Sequence, residues 1–376
     1  MTWAKVGWIC LDVGIFLAFI TVVVLALTYL ERKVMGRIQQ RIGPMRTGPL
    51  GLLQPIADAI KLMVKEDYTP GMTDKVIFWA APLVVFVPAF VMWVSIPFTR
   101  DLVIRNMDLG LFFILAVSVV SIVGLIMAGW SSFNKYAYLG AARAAAQMIS
   151  YELPLIIGVL GIVMISQSTD MQVIVAAQNP VWFIAVQPVA FVLFLMASLA
   201  EVGRSPFDIP YAESEVVGGP MIEYSGIHWA MFFLAEYANT FAIAVLTTLL
   251  FLGGWNGPAL PSNSTFAVGV SQAFWFLLKT SIVIMLIFWI RATLPRFRID
   301  QLMSLAWKVL VPLAFLNLVL TAVYLFFGWP KWSMFLMSVA VIIATYYILR
   351  VRGRARMPVT RTVKITPTGV ADDRTV

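Results

Sequence analysis

Apolar residues in this chain run in long, nearly uninterrupted stretches rather than in the short alternations of a soluble fold. Windows between charged or Pro/Gly-rich breaks predict helices near 6 to 30, 76 to 96, 109 to 130, 145 to 165, 181 to 200, 229 to 252, 273 to 294, 309 to 328 and 333 to 349. These lengths suit the requirement of about 20 residues for a helix rising about 1.5 Å per residue across a hydrocarbon core. The predicted fold class is therefore all-α: a polytopic transmembrane helix bundle of about nine transmembrane helices. Pro82, Pro88, Pro154, Pro188 and Pro312 fall inside these windows and predict kinks, which membrane helices tolerate where neighbours satisfy the freed carbonyls. The first window has no small-residue cleavage site and stops at Glu31-Arg32-Lys33, so it reads as a retained span rather than a signal peptide.

Composition agrees: 61% of residues are hydrophobic and 12% charged, against about a quarter charged in soluble domains. The placement of charge adds an orientation. Of the Lys and Arg residues, eight lie in the first loop, two in the third, one in the fifth, four in the seventh, counting Arg291 at the end of the window before it, and seven in the tail, against four on the opposite side. The positive-inside rule then puts the N-terminus outside and the C-terminus inside, the result an odd number of spans also requires. The net charge of +8 reads as juxtamembrane attraction to anionic lipid, with no nucleic-acid partner. The expected organisation is one transmembrane domain over 1–349 and a basic tail over 350–376 whose composition predicts disorder.

Two loops depart from simple topology. In the first, Gln54, Asp58, Lys61 and Lys65 recur at spacings of four, three and four, opposite Leu53, Ile56, Ile60, Met63 and Val64. Residues 49 to 66 therefore predict an amphipathic helix in the membrane interface, either a plain surface anchor or part of a site. Glu31, Arg32, Lys33, Arg37, Arg41 and Arg46 precede it, a density of guanidinium groups suited to a carboxylate-bearing partner or a polar headgroup. The loop over 201 to 228 instead holds Glu201, Asp208, Glu213, Glu215 and Glu223 against Arg204 alone. Acids have little influence on topology, so a solvated loop is one reading; its apolar setting argues for another.

Glu152 and Glu236 sit inside apolar runs. A charge at a helix centre costs about 2.5 to 3.5 kcal/mol on insertion scales, so such residues face the bundle interior and pair or exchange protons, or snorkel when near a helix end. Lys279, within the seventh window, poses the same alternative of counter-ion or snorkelling group, and Asp12 reads as an outer-interface residue. Cys10 and His228 are the only residues of their kinds, too few for a disulfide, a zinc or cluster site, or a bis-histidine haem. His228, beside Trp229, reads as a headgroup-level residue. No GxGxxG or GxxxxGK[ST] sequence occurs, so no nucleotide cradle is expected.

Five ordered blocks carry a resemblance: ERKVMGRIQQRIGPMRTGPLGLLQPIADAIKLMVKE, AQMISYELP, LAEVGRSPFDIPYAESEVVGGPMIEYSG, AEY and RATLPRFRIDQLMSLAWKVLVP. From about residue 6 to residue 328 the chain resembles the H-subunit family of bacterial proton-pumping NADH:quinone oxidoreductases, respiratory complex I. The resemblance implies a subunit of a multisubunit, proton-translocating enzyme in the bacterial inner (plasma) membrane. It would take quinone as substrate and bind no cofactor itself, while flavin and iron–sulfur clusters reside in partner subunits. Carried over, Glu31, Arg32, Arg37, Asp58, Arg204 and Arg291 would border the quinone chamber and its entrance. Glu152, Glu201, Asp208, Glu213, Glu215, Glu223 and Glu236 would form the acidic proton path.

The chain departs from the family at Tyr211, where many members carry glutamate, and at Pro220, where an aromatic residue is common. The ninth helix and tail extend past the family's eight-helix core. Two other functions stay open on sequence: the homologous coupling subunit of a membrane-bound hydrogenase, and a cation-coupled secondary transporter, against which the absence of an internal inverted repeat speaks.

Overall fold

The structure, a computed structural model, describes residues 3–258 and 265–355. In chain order its helices are α1 (Trp3–Ile38), α2 (Gln54–Val64), α3 (Lys75–Val91), α4 (Gly110–Ser131), α5 (Lys135–Ser166), α6 (Met171–Ala177), α7 (Phe183–Val186), α8 (Pro188–Val202), α9 (Glu213–Val216), α10 (Gly226–Phe251), α11 (Thr265–Thr293), α12 (Ile299–Leu305), α13 (Val311–Phe327) and α14 (Lys331–Ala355). No strand occurs among the described residues. Seven helical stretches are long and apolar enough to span a membrane, and α8 and 332–347 are shorter apolar helices. The chain is a multi-pass membrane protein.

Helix α10 is the axis of the bundle. Its span is 78% buried, against 22% for α1 at the periphery, and from Thr240 to Phe251 every residue is buried. Such all-round burial belongs to a helix surrounded by other helices; here α3, α8, α11 and α1 pack on it. Small residues set the closest approaches. A Cβ on Gly124 of α4 would come within 2.5 Å of Val85 on α3, and one on Gly129 would overlap Ala141 on α5. Without a hydrophobic driving force between helices in lipid, this close backbone packing is what holds neighbours together.

Several helix ends differ from the hydropathy windows, where charge, proline or Ala-rich sequence of modest hydropathy sets them. Helix α1 continues through Glu31, Arg32, Lys33 and Arg37, so residues expected in a loop form a projecting helical end. Helix α5 starts at Lys135 rather than near 145, capped by Asn134, whose Oδ1 accepts from the Tyr136 N–H at 2.9 Å. The early turns hold the Ala-rich GAARAAAQ, of high helix propensity but modest hydropathy. The 181 to 200 window is broken at Gln187, because Pro188 begins α8 instead of kinking a longer helix. Its ring cannot follow a helical residue without meeting the carbonyl four positions back. Helix α12 leads through a π-helical turn over 306–310 into α13, just ahead of Pro312; a wide turn relieves the same conflict. Helix α14 runs on to Ala355, and the rest of the tail, from 356, lies outside the described residues.

The amphipathic helix forms, but over Gln54–Val64 rather than the whole of 49 to 66, because Leu50 leaves helical geometry at φ 55. Within α2, Gln54 donates to Asp58 at 3.1 Å, while Ile56, Ile60, Met63 and Val64 are left exposed on a helix that suits a membrane interface.

Replacing Gly129 by Leu should part α4 from α5. The expected cost, about 1 to 3 kcal/mol for overpacking, would be read as a lowered thermal midpoint of the detergent-solubilised protein, with Gly14→Leu, where a Cβ meets nothing, as the silent control.

Candidate functional site

A chain of charges crosses the bundle where α1, α8, α10 and α11 meet. Glu31, on the projecting turn of α1, has a side chain only 3% exposed, yet its two oxygens meet two arginines: Arg204 Nη1 donates at 3.4 Å, and Arg291 Nη1 makes the shorter contact. Arg204, also 3% exposed, reaches Glu236 Oε1 with its Nε at 3.1 Å, and the guanidinium lies 4.1 Å over the Tyr237 ring. Two carboxylates thus balance two guanidinium groups.

Local sequence explains how Arg204 gets there. Gly203 adopts φ +70 at the end of α8. Its N–H donates to Ala200 O at 3.2 Å, and that of Arg204 donates to Leu199 O at 3.3 Å. This is a Schellman ending, for which glycine is the residue without a Cβ penalty. It turns Arg204 back against the helices rather than out with the loop. Burial acts to lower the Arg204 guanidinium, but Glu236, Tyr237 and Asp208 outweigh it and hold the group above its ordinary range.

Two cavities adjoin these charges. The larger, about 550 Å³, is lined by Arg204, Asp208, Trp229, Tyr237 and Arg291 among others. The smaller, about 70 Å³ and mostly apolar, runs within the bundle past Ser118, Ser121, Glu201 and Asn239, with room for a few water molecules. Tyr211, Met221 and Glu236 line both. Glu201 lines this cavity together with Ser118 and lies within electrostatic reach of Glu152. Asn239 Oδ1 is a buried acceptor with no protein partner, as expected of a site that water completes. Burial, with the Glu236 and Asp208 carboxylates, pushes the Tyr211 phenol far above its ordinary range. It therefore stays protonated as a neutral donor between the cavities.

The predicted site residues divide accordingly. Glu31, Arg204, Arg291, Asp208, Glu236 and Glu201 belong to the network or its cavities, and Glu152 lies within electrostatic reach of Glu201. Asp208 also pairs with Arg296 at 3.1 Å. Arg32 pairs with Asp58 at 2.6 Å on the outer side of the network, tying α1 to the amphipathic helix, and Arg37 is exposed in the last turn of α1. Glu215 is held by Arg143 at 2.5 Å and Glu223 by Asn134 at 2.6 Å, and neither lines either cavity. The Glu213 side chain lies outside what the structure describes.

Sequence reading passed over Tyr237, Asn239, Ser118 and Ser121. The serines carry a usable signal, since a three-residue spacing puts them on one face of an otherwise apolar helix. His228, expected at headgroup level, is buried with Nδ1 2.5 Å from Asp67 Oδ2. Among the described residues no group of three or more His, Cys, Asp or Glu side chains could hold a metal ion.

Fold and site together define a class: a polytopic helical membrane protein with a buried ion-pair network opening on an internal polar cavity. Within that class the family is shown by comparison, because the profile of the NADH dehydrogenase family matches residues 11–322. The chain is 50% identical over 308 residues to the H subunit of NADH-quinone oxidoreductase from Dehalococcoides mccartyi (strain CBDB1), covering 82% of this chain and 84% of that one. It is 48% identical over 322 residues to the H subunit from Brevibacillus brevis, covering 86% and 94%. With the H subunit from Geobacillus kaustophilus the identity is 50% over 311 residues, covering 82% and 90%. The chain belongs to the NADH dehydrogenase family, with the H subunits of NADH-quinone oxidoreductases as its relatives.

Removing one member of a buried network strands the others. Arg204→Met should destabilise the protein by about 3 to 5 kcal/mol, seen as a large drop in thermal midpoint or in assembled protein. Adding Glu236→Gln, which removes the carboxylate left without a cation while Glu31 keeps Arg291, should recover much of the loss.

Proposed function

We propose that this chain forms part of the quinone chamber of its NADH:quinone oxidoreductase, in the bacterial inner membrane, and carries the first stretch of the acidic proton path. Family membership makes it a membrane subunit of that oxidoreductase, so the other subunits of the complex are its partners. The observation that carries the finer reading is the wall shared by the two cavities. Tyr211 and Glu236 face the arginine-lined space on one side and the Glu201-lined space on the other.

Reducing a quinone to its quinol takes two electrons, supplied by a partner's iron–sulfur chain, and two protons. The larger cavity offers cationic Arg204 and Arg291 to the oxygen atoms on which negative charge develops. Both arginines are already committed to Glu31, and Arg204 also to Glu236. An anionic oxygen drawing on Arg204 therefore weakens its hold on Glu236. Opposite charges 4 Å apart interact by about 4 kcal/mol at an effective dielectric near 20, so loss of that partner favours proton uptake by Glu236. From Glu236 the smaller cavity leads to Glu201 through the Tyr211 hydroxyl and any water held there, and Glu152 responds to the charge on Glu201. The outer pair Arg32–Asp58 and the exposed Arg37 suit an entrance, where the apolar face of α2 meets lipid and an apolar substrate would arrive. Glu215 and Glu223, pinned by Arg143 and Asn134, suit the docking of a soluble partner better than proton transfer.

Glu201→Gln should lower NADH-driven quinone reduction in membranes by about tenfold or more. Assembly and NADH oxidation by a water-soluble artificial acceptor should stay intact. Wild-type quinone reduction in this variant would sink the path through Glu201. Tyr211→Phe should slow the same reaction severalfold without loss of the complex.

A further inference from the structure

Lys279 is a buried charge that the reading above leaves unused. Twelve residues before Arg291 on α11, it lies roughly 18 Å from the arginine network along the helix. Its side chain is buried, and its Nζ donates to Leu252 O at 2.7 Å, Gly254 O at 3.0 Å and Asn256 O at 2.5 Å. Three acceptors around one nitrogen require three N–H donors, which only the ammonium form has. The Trp182 ring covers it at 4.5 Å, and among the described residues no carboxylate pairs with it. The loop over 259–264 contains no acid either. A positive charge is thus fixed at the negative end of the α10 dipole.

The bowl of carbonyls does not depend on this ammonium for its shape. Gln178 accepts from the Gly253 N–H at 2.7 Å and donates to Leu249 O at 2.6 Å, Asn256 donates to Val175 O at 3.0 Å, and the Gly254 N–H donates to Thr248 O at 2.9 Å. The lysine adds two things to this bowl: N–H donors for three of its carbonyls, and a positive charge that no neutral side chain would bring.

Its position gives that charge a use. The smaller cavity ends on α10 at Leu246, about 9 Å along the helix from Leu252, whose carbonyl the ammonium holds. Between them Leu249, Leu250 and Phe251 are fully buried, and the Phe191 and Phe194 rings pack on Phe251 at 5.5 and 5.6 Å. This apolar plug is not free of polar groups: Thr247, Thr248 and Thr280 are buried within it, and the last two hydroxyls lie 3.4 Å apart. A plug with hydroxyls in it does not of itself stop a proton.

We propose that Lys279 is the residue that makes the bundle's far end proton-tight, a fixed positive charge that turns back a proton which has entered the Glu201 cavity. This deepens the reading of that cavity as a proton route and rests on it. Positive groups exclude protons and cations from narrow pores in the same way.

The test uses the intact complex in sealed proteoliposomes under an imposed pH difference, with neither NADH nor quinone present, and follows proton and chloride flux separately. Lys279→Gln should leak protons about tenfold faster than wild type, with chloride flux unchanged, and Lys279→Arg should stay tight. A tight Lys279→Gln, or chloride rising with protons as through a structural breach, overturns the proposal. If Lys279→Gln does not assemble, Thr280→Asp puts a negative charge in the plug, where Thr280 meets Thr248, lowers the positive potential there and should leak in the same way; a tight Thr280→Asp overturns it. Failure of both to assemble while Lys279→Arg succeeds also overturns it, by making the lysine a clamp. In the double variant Lys279→Gln/Glu201→Gln the leak should stop. A leak that persists there supports the barrier while counting against Glu201 as the route.

Discussion

Glu31 has to be matched by cations wherever it is buried, and that requirement organises one end of this protein. An isolated carboxylate carries a penalty of several kcal/mol in a low-dielectric interior. Glu31 avoids it because Arg204 arrives from the turn after α8 and Arg291 from the end of α11. Arg204 in turn brings Glu236 and Tyr237 of the central helix. Four elements far apart in sequence are thus held in register by one alternating set of charges. The larger cavity opens against this set, so any ligand that changes its charge acts on all four elements together.

The bundle is electrically asymmetric along its axis. At one end opposite charges alternate and adjoin a polar cavity; at the other an ammonium is held by three carbonyls above an apolar plug. The narrow cavity with Glu201 lies between. In the proton route proposed above, acids near the arginine end would admit protons and the carbonyl-bound cation would keep them from leaving along the helix axis. Glu152 lies on the α5 side of Glu201, within its electrostatic reach.

The apolar windows located most of the spans, because lipid asks the same of every stretch of about 20 residues wherever it lies in the bundle. They failed at Glu31 to Arg37 and at Lys135 to Ala144, where helices continue through charged or merely Ala-rich sequence. Hydropathy measures transfer into lipid, whereas these turns are held by capping and by neighbours. The acids were conspicuous because each is costly in an apolar run. Their sorting was not: Glu215 and Glu223 are as acidic as Glu201 and Glu236, but they take Arg143 and Asn134 as partners away from the cavities.

The sequence by itself determined that the chain crosses a membrane repeatedly, that its basic residues cluster on one side and that its loops match a known family, since solvent transfer and local pattern are properties of short segments. Only the tertiary structure decided that Glu31 and Glu236 share Arg204, that Tyr211 stands between two cavities and that Lys279 rests on the end of α10. Each of those facts joins residues tens to hundreds of positions apart. The energy of a buried charge depends on what surrounds it in space, and no local pattern along the chain records that.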